Sequence, residues 1–502
     1  MPRPTPRPPA RPDPQLTRAM ELLKAGKNAE AKAIVDPIVA KRPKDPMAVR
    51  AKGLVEMRSG RYAEAETWLL KSAKLDPRNP LTRLDQASLH KFHGRFPEMI
   101  AACREALKRS PGHVGAEAML ARAMESSGDL EGAYEFIKTV GRRRSLDPDT
   151  GECLITVLDL LGRHDEAMDV SASYLKASGV APVLRRRVLL RRGRILEKRG
   201  DLDAALASFE EGQSQVPAVF DPEAYERRLE QVAADLPTLA PVDPDDDGPR
   251  SSRLPVFIAG LPRSGTSLVE RILGTHPEAS GIGESGVLQD VIRDHRAAIG
   301  PDTALGPLRV ADDLADTMRR QALDRLRELG GPASRIVSKH LQNWAYLGTI
   351  GFWFPNAAVI RLVRDPAANA ISILGQDLPP DRMAWATRLD WIGRMMRTER
   401  RFVDAIREKL PNPWLDLAYE DLVAEPATWI PRIVEVTGLP WHEGCLEPHR
   451  AEASDAGGRR ARFQPTLSLH QVRQPISAGA AKRAEAWGDR LDAFRRAFET
   501  GA

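Results

Sequence analysis

The carboxyl-terminal half of the chain alternates short apolar runs, rich in β-branched residues, with longer stretches whose apolar positions recur at helical spacing. The runs are Leu254 to Ala259, Arg335 to Ser338, Ala357 to Val363 and Trp414 to Ala418. Strands that alternate with helices form parallel sheets covered by helices on both faces. The pattern therefore predicts a three-layer α/β domain with a mostly parallel sheet, whose ligands bind at the carboxyl ends of the strands.

In the amino-terminal half of the chain, glycine residues recur at a longer, regular interval. Glycines recur every 34 residues, and a small residue or methionine follows each of them five positions later; they are Gly26, Gly60, Gly94, Gly128 and Gly162. Each glycine ends the first helix of a pair, and the small residue that follows lets the second helix pack closely on it. Small residues also stand seven positions before three of these glycines, at Gly53, Ala87 and Ala121. This is the tetratricopeptide period.

The chain resembles tetratricopeptide proteins from Gln15 to Gln215, including a further unit around Gly200 that follows a longer junction. The resemblance implies a right-handed α-solenoid. Such an array either offers a concave surface to a peptide or protein partner, or serves as a rigid spacer. Both roles remain open from the sequence.

A stretch rich in Pro, Asp and Gly, residues 236–252, lacks periodicity and separates the two halves. We expect a disordered Pro-rich amino terminus over 1–14, a repeat domain over 15–235, a linker over 236–252 and the α/β domain over 253–502.

Composition narrows the class of protein. A net charge of +5 over 502 residues is small, so it does not indicate a nucleic-acid partner. The three cysteines are widely spaced, which predicts no disulfide framework, no zinc site and a reducing compartment. No run reaches the roughly 18–20 apolar residues of a membrane span, and the amino terminus has no signal-peptide core. The expectation is a cytoplasmic protein, and its Arg- and Ala-rich usage fits a bacterial source.

The first strand-like run leads into a glycine loop and then into a helical pattern. Gly260 and Gly265 have the spacing of a nucleotide-binding P-loop, but Thr266 stands where that loop has lysine. Backbone N–H groups at such a helix start bind phosphate groups. The missing lysine argues against an ordinary ATPase, GTPase or kinase.

The segment Pro262-Arg-Ser-Gly-Thr-Ser267 resembles the 5′-phosphosulfate loop of sulfotransferases, and is most similar to the tyrosylprotein sulfotransferases and their bacterial relatives. Those enzymes transfer a sulfuryl group from 3′-phosphoadenosine 5′-phosphosulfate (PAPS) to a hydroxyl. The resemblance implies that the donor is bound by Arg263, Ser264, Gly265, Thr266 and Ser267.

A second segment, Arg364-Asp365-Pro366 with Ser372 eight residues after Arg364, follows another strand. A guanidinium and a hydroxyl together suit a terminal phosphate. In the family this pair binds the 3′-phosphate of PAPS. The alternative is a turn closed by an Arg364–Asp365 ion pair.

Two further residues match catalytic positions of the family. Glu284 matches the general base of the tyrosylprotein enzymes, and His276 is a rival base because other sulfotransferases use histidine. Lys339 matches the lysine that neutralises charge on the leaving phosphate, although Leu341 replaces a common proline. Arg263 is expected to stabilise the transferring group or to orient Glu284. No metal is expected, because fixed cations supply the charge.

The carboxyl-terminal matches are partial. Ser468, followed by Gln471, Val472 and Pro475, resembles a serine of the sulfuryl site, and Lys482 and Arg483 stand where a basic residue closes over the nucleotide. Residues 478–484 otherwise depart from the family pattern. Tyr419 matches a tyrosine on the adenine side, and a core tyrosine at a strand end is the alternative.

The sequence thus predicts a tetratricopeptide-repeat sulfotransferase that uses PAPS and an acceptor hydroxyl on a peptide tyrosine, a glycan or a small molecule. Its partners would be that acceptor and a protein bound by the repeats. The alternative is a scaffold protein whose transferase domain binds nucleotide without reacting; the altered 478–484 segment favours it.

Overall fold

A computed structural model of the chain describes residues 13–24, 27–59, 61–92, 94–300, 310–448 and 481–501. The described residues form two compact units, which divide between Val157 and Leu158. The predicted limits at 236 and 252 stay a prediction.

The first part of the chain is made of successive helices. Its helices are α1 (Pro14–Lys24), α2 (Asn28–Lys41), α3 (Pro46–Arg58), α4 (Tyr62–Leu75), α5 (Pro80–Phe92), α6 (Phe96–Arg109), α7 (Val114–Ser127), α8 (Leu130–Arg143), α9 (Pro148–Leu160), α10 (His164–Lys176), α11 (Pro182–Lys198), α12 (Leu202–Ser214) and α13 (Pro222–Asp235).

Gly128 and Gly162 end helices as the sequence predicts, and an aspartate caps the helix that follows Gly128. Gly128 and Gly162 end the first helix of their pairs with positive φ (95° and 74°), the left-handed conformation that glycine adopts without strain. Asp129 then caps the next helix by accepting a hydrogen bond from the Gly132 N–H at 3.1 Å. A Cβ at Gly53 would lie 2.7 Å from the Leu69 side chain, so the small residue allows α3 and α4 to pack closely.

The second part contains a five-stranded, fully parallel sheet. Its strands are β1 (Pro255–Ala259), β2 (Ala279–Gly281), β3 (Arg335–Ser338), β4 (Ala358–Val363) and β5 (Trp414–Ala418), in the order β2-β3-β1-β4-β5. Val256 of β1 pairs with Val337 on one side and Ala358 on the other. The four runs read from the sequence are strands, and β2 is an additional short edge strand.

Helices cover both faces of the sheet. They are α14 (Thr266–Gly274), α15 (Val287–Asp294), α16 (Arg296–Ile299), α17 (Asp312–Gly330), α18 (Leu347–Trp353), α19 (Pro366–Leu374), α20 (Leu389–Ile406), α21 (Tyr419–Ala424), α22 (Pro426–Val436), α23 (Ala481–Trp487) and α24 (Asp492–Thr500). Short 3₁₀ segments lie at Pro249–Ser251, Asn343–Tyr346, Ala384–Thr387, Arg407–Lys409, Glu443–Leu446 and Gly488–Leu491.

Alternating residues of the strands face two separate cores. Val256 and Ile258 pack with α14 and α22, whereas Phe257 packs with α17 to α20. The second of these cores also contains Leu190 of α11 and Phe209 of α12. The last helices of the repeat region therefore share a hydrophobic core with the sheet.

Within the described ranges, no helix is long and apolar enough to span a bilayer.

The cysteines give a direct test of this packing. Cys103, Cys153 and Cys445 are fully buried, and burial raises the pKa of Cys103 to about 12. Because only exposed thiolate reacts, we expect the native protein to react with a thiol-specific disulfide reagent on the order of 100-fold more slowly than the urea-unfolded protein. Rapid labelling of any cysteine in the folded protein would contradict this packing.

Candidate active site

The loop between β1 and α14 is held in a tight turn. Gly265 adopts φ +106° immediately before α14, and a Cβ there would lie 2.6 Å from Cδ2 of Tyr419. Arg263, with φ +68°, is the single non-glycine residue of positive φ in the described part of the chain. The buried Ser264 donates its hydroxyl to the Leu261 carbonyl at 2.8 Å. The turn aims the first N–H groups of α14 at the carboxyl end of the sheet, where they can bind an anion.

The end of β4 is bonded to this loop. Arg364 Nη1 donates to the carbonyl oxygen of Arg263 at 2.8 Å, and Arg263 Nε donates to Ser372 Oγ at 3.0 Å. Asp365 caps α19 by accepting from the Ala368 N–H at 2.7 Å. Arg364 thus contacts the loop, and Asp365 serves the helix start. The structure brings Arg263, Arg364 and Ser372 together.

Asn369 of α19 is a loop contact that the sequence did not indicate. It is buried, and with its amide nitrogen facing the loop it donates to Pro262 O at 3.1 Å and Arg263 O at 3.2 Å. An asparagine four residues into a helix carries no sequence signal of its own, since only the fold brings it beside the loop.

On the other side of β1, Lys339 and Glu284 form an ion pair. Lys339 follows β3, Glu284 follows β2, and their Nζ and Oε1 atoms are 2.8 Å apart. The Lys339 side chain is fully buried, whereas that of Glu284 is 41% exposed. The carboxylate can therefore meet a substrate from solvent while the ammonium is fixed beneath it.

A second carboxyl group, that of Glu270 on α14, supports this pair from the protein interior. The residue is buried, and its Oε1 accepts a hydrogen bond from the Gly283 N–H at 2.6 Å. Burial raises the pKa of Glu270, while the charge of Lys339 and the Gly283 hydrogen bond act in the opposite direction. Sequence reasoning missed Glu270, because it occupies an interior position of an apparently ordinary amphipathic helix.

Two histidines lie near the site, and neither has the geometry of Glu284. His276 is buried, accepts from the Glu278 N–H at Nδ1 (3.1 Å), and has Nε2 at 2.8 Å from Pro440 O. Both ring nitrogens are therefore engaged, Nδ1 in a local turn and Nε2 in a contact with a distant segment of the chain. Burial lowers the pKa of His340, which follows Lys339, to about 4, so that imidazole is neutral at pH 7.

Tyr419 lies at the end of β5, half-buried. Its ring packs against Gly265, and the Arg364 guanidinium carbon is 4.7 Å from the ring centroid. The tyrosine thus joins the loop and the β4 end, and a cation over an aromatic face is favourable.

Of the remaining predicted site residues, the structure describes two fully and the others in part or not at all. Thr266 and Ser267 are buried in the first turn of α14. Ser468 lies outside the described residues. Lys482 and Arg483 fall in α23, but their side chains are outside the described part. Among the described residues, no three His, Cys, Asp or Glu side chains group as metal ligands.

A parallel sheet with a phosphate-type loop, two arginines and a Lys–Glu pair at the carboxyl ends of its strands defines a P-loop-like α/β domain. Residues 255–443 match the model of the sulfotransferase family, and residues 16–80 match that of the tetratricopeptide repeat. The chain therefore carries tetratricopeptide repeats followed by a parallel-sheet sulfotransferase domain.

Curated relatives support both parts. An uncharacterised protein of Aquifex aeolicus is 28% identical over 389 residues, covering 76% of this chain and 49% of that protein. Protein-tyrosine sulfotransferase 1 of Danio rerio is 25% identical over 240 residues, covering 45% of this chain and 64% of that protein. The chain thus spans about half to under two thirds of the length of these relatives.

Solved structures are more distant. The sulfotransferase domain from the Synechococcus PCC 7002 olefin synthase is 18% identical, covers 49% of this chain and 98% of its own, and gives a TM-score of 0.29. PilW, a type IV pilus biogenesis factor, is 18% identical, covers 40% of this chain and 91% of its own, and gives a TM-score of 0.35.

Gly265 is the position where the loop is most sensitive to a side chain. We expect Gly265→Ala to destabilise the protein by at least about 1–2 kcal/mol, because the left-handed backbone and the Tyr419 contact both disfavour a Cβ. Urea unfolding measures the change.

Gly274→Ala, at the other end of α14, is the matched control. A Cβ there meets no atom within 4 Å, so its unfolding free energy should be unchanged or slightly higher. Equal stability of the two variants would show that the loop does not have this conformation.

Proposed function

We propose that the protein transfers the sulfuryl group of PAPS to an acceptor hydroxyl. The observation that carries the proposal is the meeting, at one sheet edge, of the β1–α14 loop with Arg263, Arg364, Ser372 and the Lys339–Glu284 pair. The family match over residues 255–443 supports sulfotransfer in general.

The donor would lie along this edge. Residues 263–267 would hold its 5′-phosphosulfate through backbone N–H groups and the Arg263 side chain. Arg364 and Ser372 would hold the 3′-phosphate, because both already contact Arg263 and so lie beside the loop. Tyr419, packed on Gly265, would contact the adenine side. The cationic groups and the loop fit a ligand that carries two phosphate groups.

In the reaction, the acceptor oxygen attacks sulfur as the sulfur–oxygen bond to the 5′-phosphate breaks, leaving adenosine 3′,5′-bisphosphate. Glu284 would take the acceptor proton, and the exposure of its carboxylate to solvent supports this role. Lys339 neutralises the charge that develops on the leaving phosphate, and burial strengthens that interaction. Arg263 stabilises the group in transfer.

The acceptor would be a hydroxyl of a peptide tyrosine, a glycan or a small molecule. Relatives named protein-tyrosine sulfotransferases, 25% identical over 45% of this chain, make peptide tyrosine the first acceptor to test. The repeats would bind a protein, either the acceptor itself or a separate partner.

The donor site is tested by calorimetric titration with adenosine 3′,5′-bisphosphate and, in parallel, with ATP. We expect binding of the bisphosphate with little affinity for ATP, because Thr266 replaces the lysine that serves the β- and γ-phosphates. Failure to bind the bisphosphate would exclude a PAPS-dependent enzyme.

The base is tested by Glu284→Gln. We expect unchanged bisphosphate affinity and a fall in turnover of about 10²–10⁴-fold, since the amide cannot accept the proton. Transfer of ³⁵S from labelled PAPS to tyrosine peptides, sugars and phenols is the measurement.

Glu278→Gln is the control. Glu278 is exposed, accepts a hydrogen bond from Ser334, and precedes β2, whereas Glu284 follows that strand. Full turnover in Glu284→Gln would assign the base elsewhere. A wild-type protein that binds the bisphosphate without transferring sulfate to any acceptor would favour the scaffold alternative.

A further inference from the structure

The helical pair α11–α12 bonds the segment that follows Ser372. Gln213 of α12 donates to Leu374 O at 2.6 Å, and Arg194 of α11 donates through Nη1 to Gly375 O at 2.5 Å. These two carbonyls belong to Leu374, the last residue of α19, and to Gly375, which directly follows that helix; α19 is the helix that presents Ser372. The carboxyl end of α19, where carbonyls lack helical partners, is thus satisfied by side chains of the repeat-type helices.

The next residues of the same segment are also bonded. Arg186 of α11 is buried, donates to Asp377 Oδ1 at 2.8 Å, and donates through Nη2 to Leu378 O at 2.8 Å. A guanidinium that bonds a carboxylate and a backbone carbonyl together fixes the path of the chain between them. Residues 374–378 are therefore held over their whole length by α11 and α12.

An apolar contact reinforces these bonds. Phe209 of α12 is fully buried, and a Cβ at Gly375 would lie 2.9 Å from its Cζ. The ring also stacks on Trp487 of α23, with centroids 6.3 Å apart. Because the ring leaves no space at Gly375, the end of α19 cannot shift towards α12 without breaking the packing.

Arg194 differs from its neighbours in its electrostatic surroundings. Burial and the positive charges of Arg191 and Arg263 lower its pKa, Asp159 and Asp377 raise it, and the net effect is a pKa of about 9. The guanidinium therefore lies within electrostatic reach of Arg263 in the donor loop. The charge of Arg194 therefore adds to that of Arg263 in attracting an anion to the loop.

We infer that Arg194, a residue of the helical-repeat region, is a positioning residue for the 3′-phosphate of the donor. It holds the carboxyl end of α19 so that Ser372 faces Arg263, and its charge adds to the field that attracts the phosphate. This inference rests on the proposed donor site and assigns part of that site to helices that precede the sheet in the chain.

The test compares two nucleotides that differ in the 3′-phosphate, adenosine 3′,5′-bisphosphate and adenosine 5′-phosphate. We expect Arg194→Ala to weaken binding of the bisphosphate about 10-fold or more and to change binding of the 5′-phosphate less than about twofold. Arg194→Lys, which keeps the charge, should recover part of the loss. If the alanine variant does not fold, Arg194→Gln replaces it in the same comparison, because glutamine keeps a donor for Gly375 O but has no charge.

Arg187→Ala is the matched control. Arg187 stands on the same helix and bonds Asp377 Oδ2 at 2.9 Å, but its side chain is 43% exposed. Its removal should leave both affinities within about twofold of the wild type. An equal loss of both nucleotides in Arg194→Ala would indicate general damage to the fold and would overturn the inference.

Amide hydrogen exchange over residues 366–378 separates this inference from the proposed function. Faster exchange there in Arg194→Ala, but not in Arg187→Ala, is expected from loss of the helix anchor. If the wild-type protein does not bind the bisphosphate, both the proposed donor site and the proposed role of Arg194 are wrong. Normal binding and exchange in Arg194→Ala would overturn the inference while leaving the proposed function intact.

Discussion

The hydrogen bond from Arg364 to the carbonyl oxygen of Arg263 joins the two strand ends on which the site depends. It fixes the carbonyl of a residue whose left-handed backbone is unfavourable for a side chain, and Asn369 points at the same oxygen. The loop conformation is thus set by β4 and α19 as much as by the loop itself. A loop held from outside is already arranged before an anion arrives, so little ordering opposes binding.

The part of the site on the other side of β1 depends on the balance of charge around the buried Lys339. The Lys339 ammonium is fully buried, and a buried cation requires partners; Glu284 is bonded to it, and the interior carboxyl of Glu270 lies within its electrostatic influence. In the proposed reaction Glu284 becomes neutral as negative charge grows on the leaving phosphate. Lys339 then exchanges one anionic partner for another and stays paired throughout.

Residues that lie in contiguous sequence motifs could be predicted from the sequence. Contacts between residues far apart in the chain could not. The strand, loop and helix around Gly265 lie in one short segment, and parallel strands end at one edge, so Arg263, Lys339 and Arg364 could be placed from the sequence. The edge strand β2 has only three residues and no apolar run. Glu270, Asn369 and Arg194 occupy ordinary helix positions, and tertiary packing alone gives them their surroundings.

The packing of α11 and α12 on α19 also bears on how such a chain can change in evolution. Helical arrays lengthen and shorten by gaining or losing whole units, because each unit contacts only its neighbours. Here the carboxyl-terminal pair has a second neighbour, and its Phe209 and Arg186 are buried against it. We therefore expect units to be added or deleted towards the amino terminus more readily than the final pair, which is packed against the parallel-sheet domain.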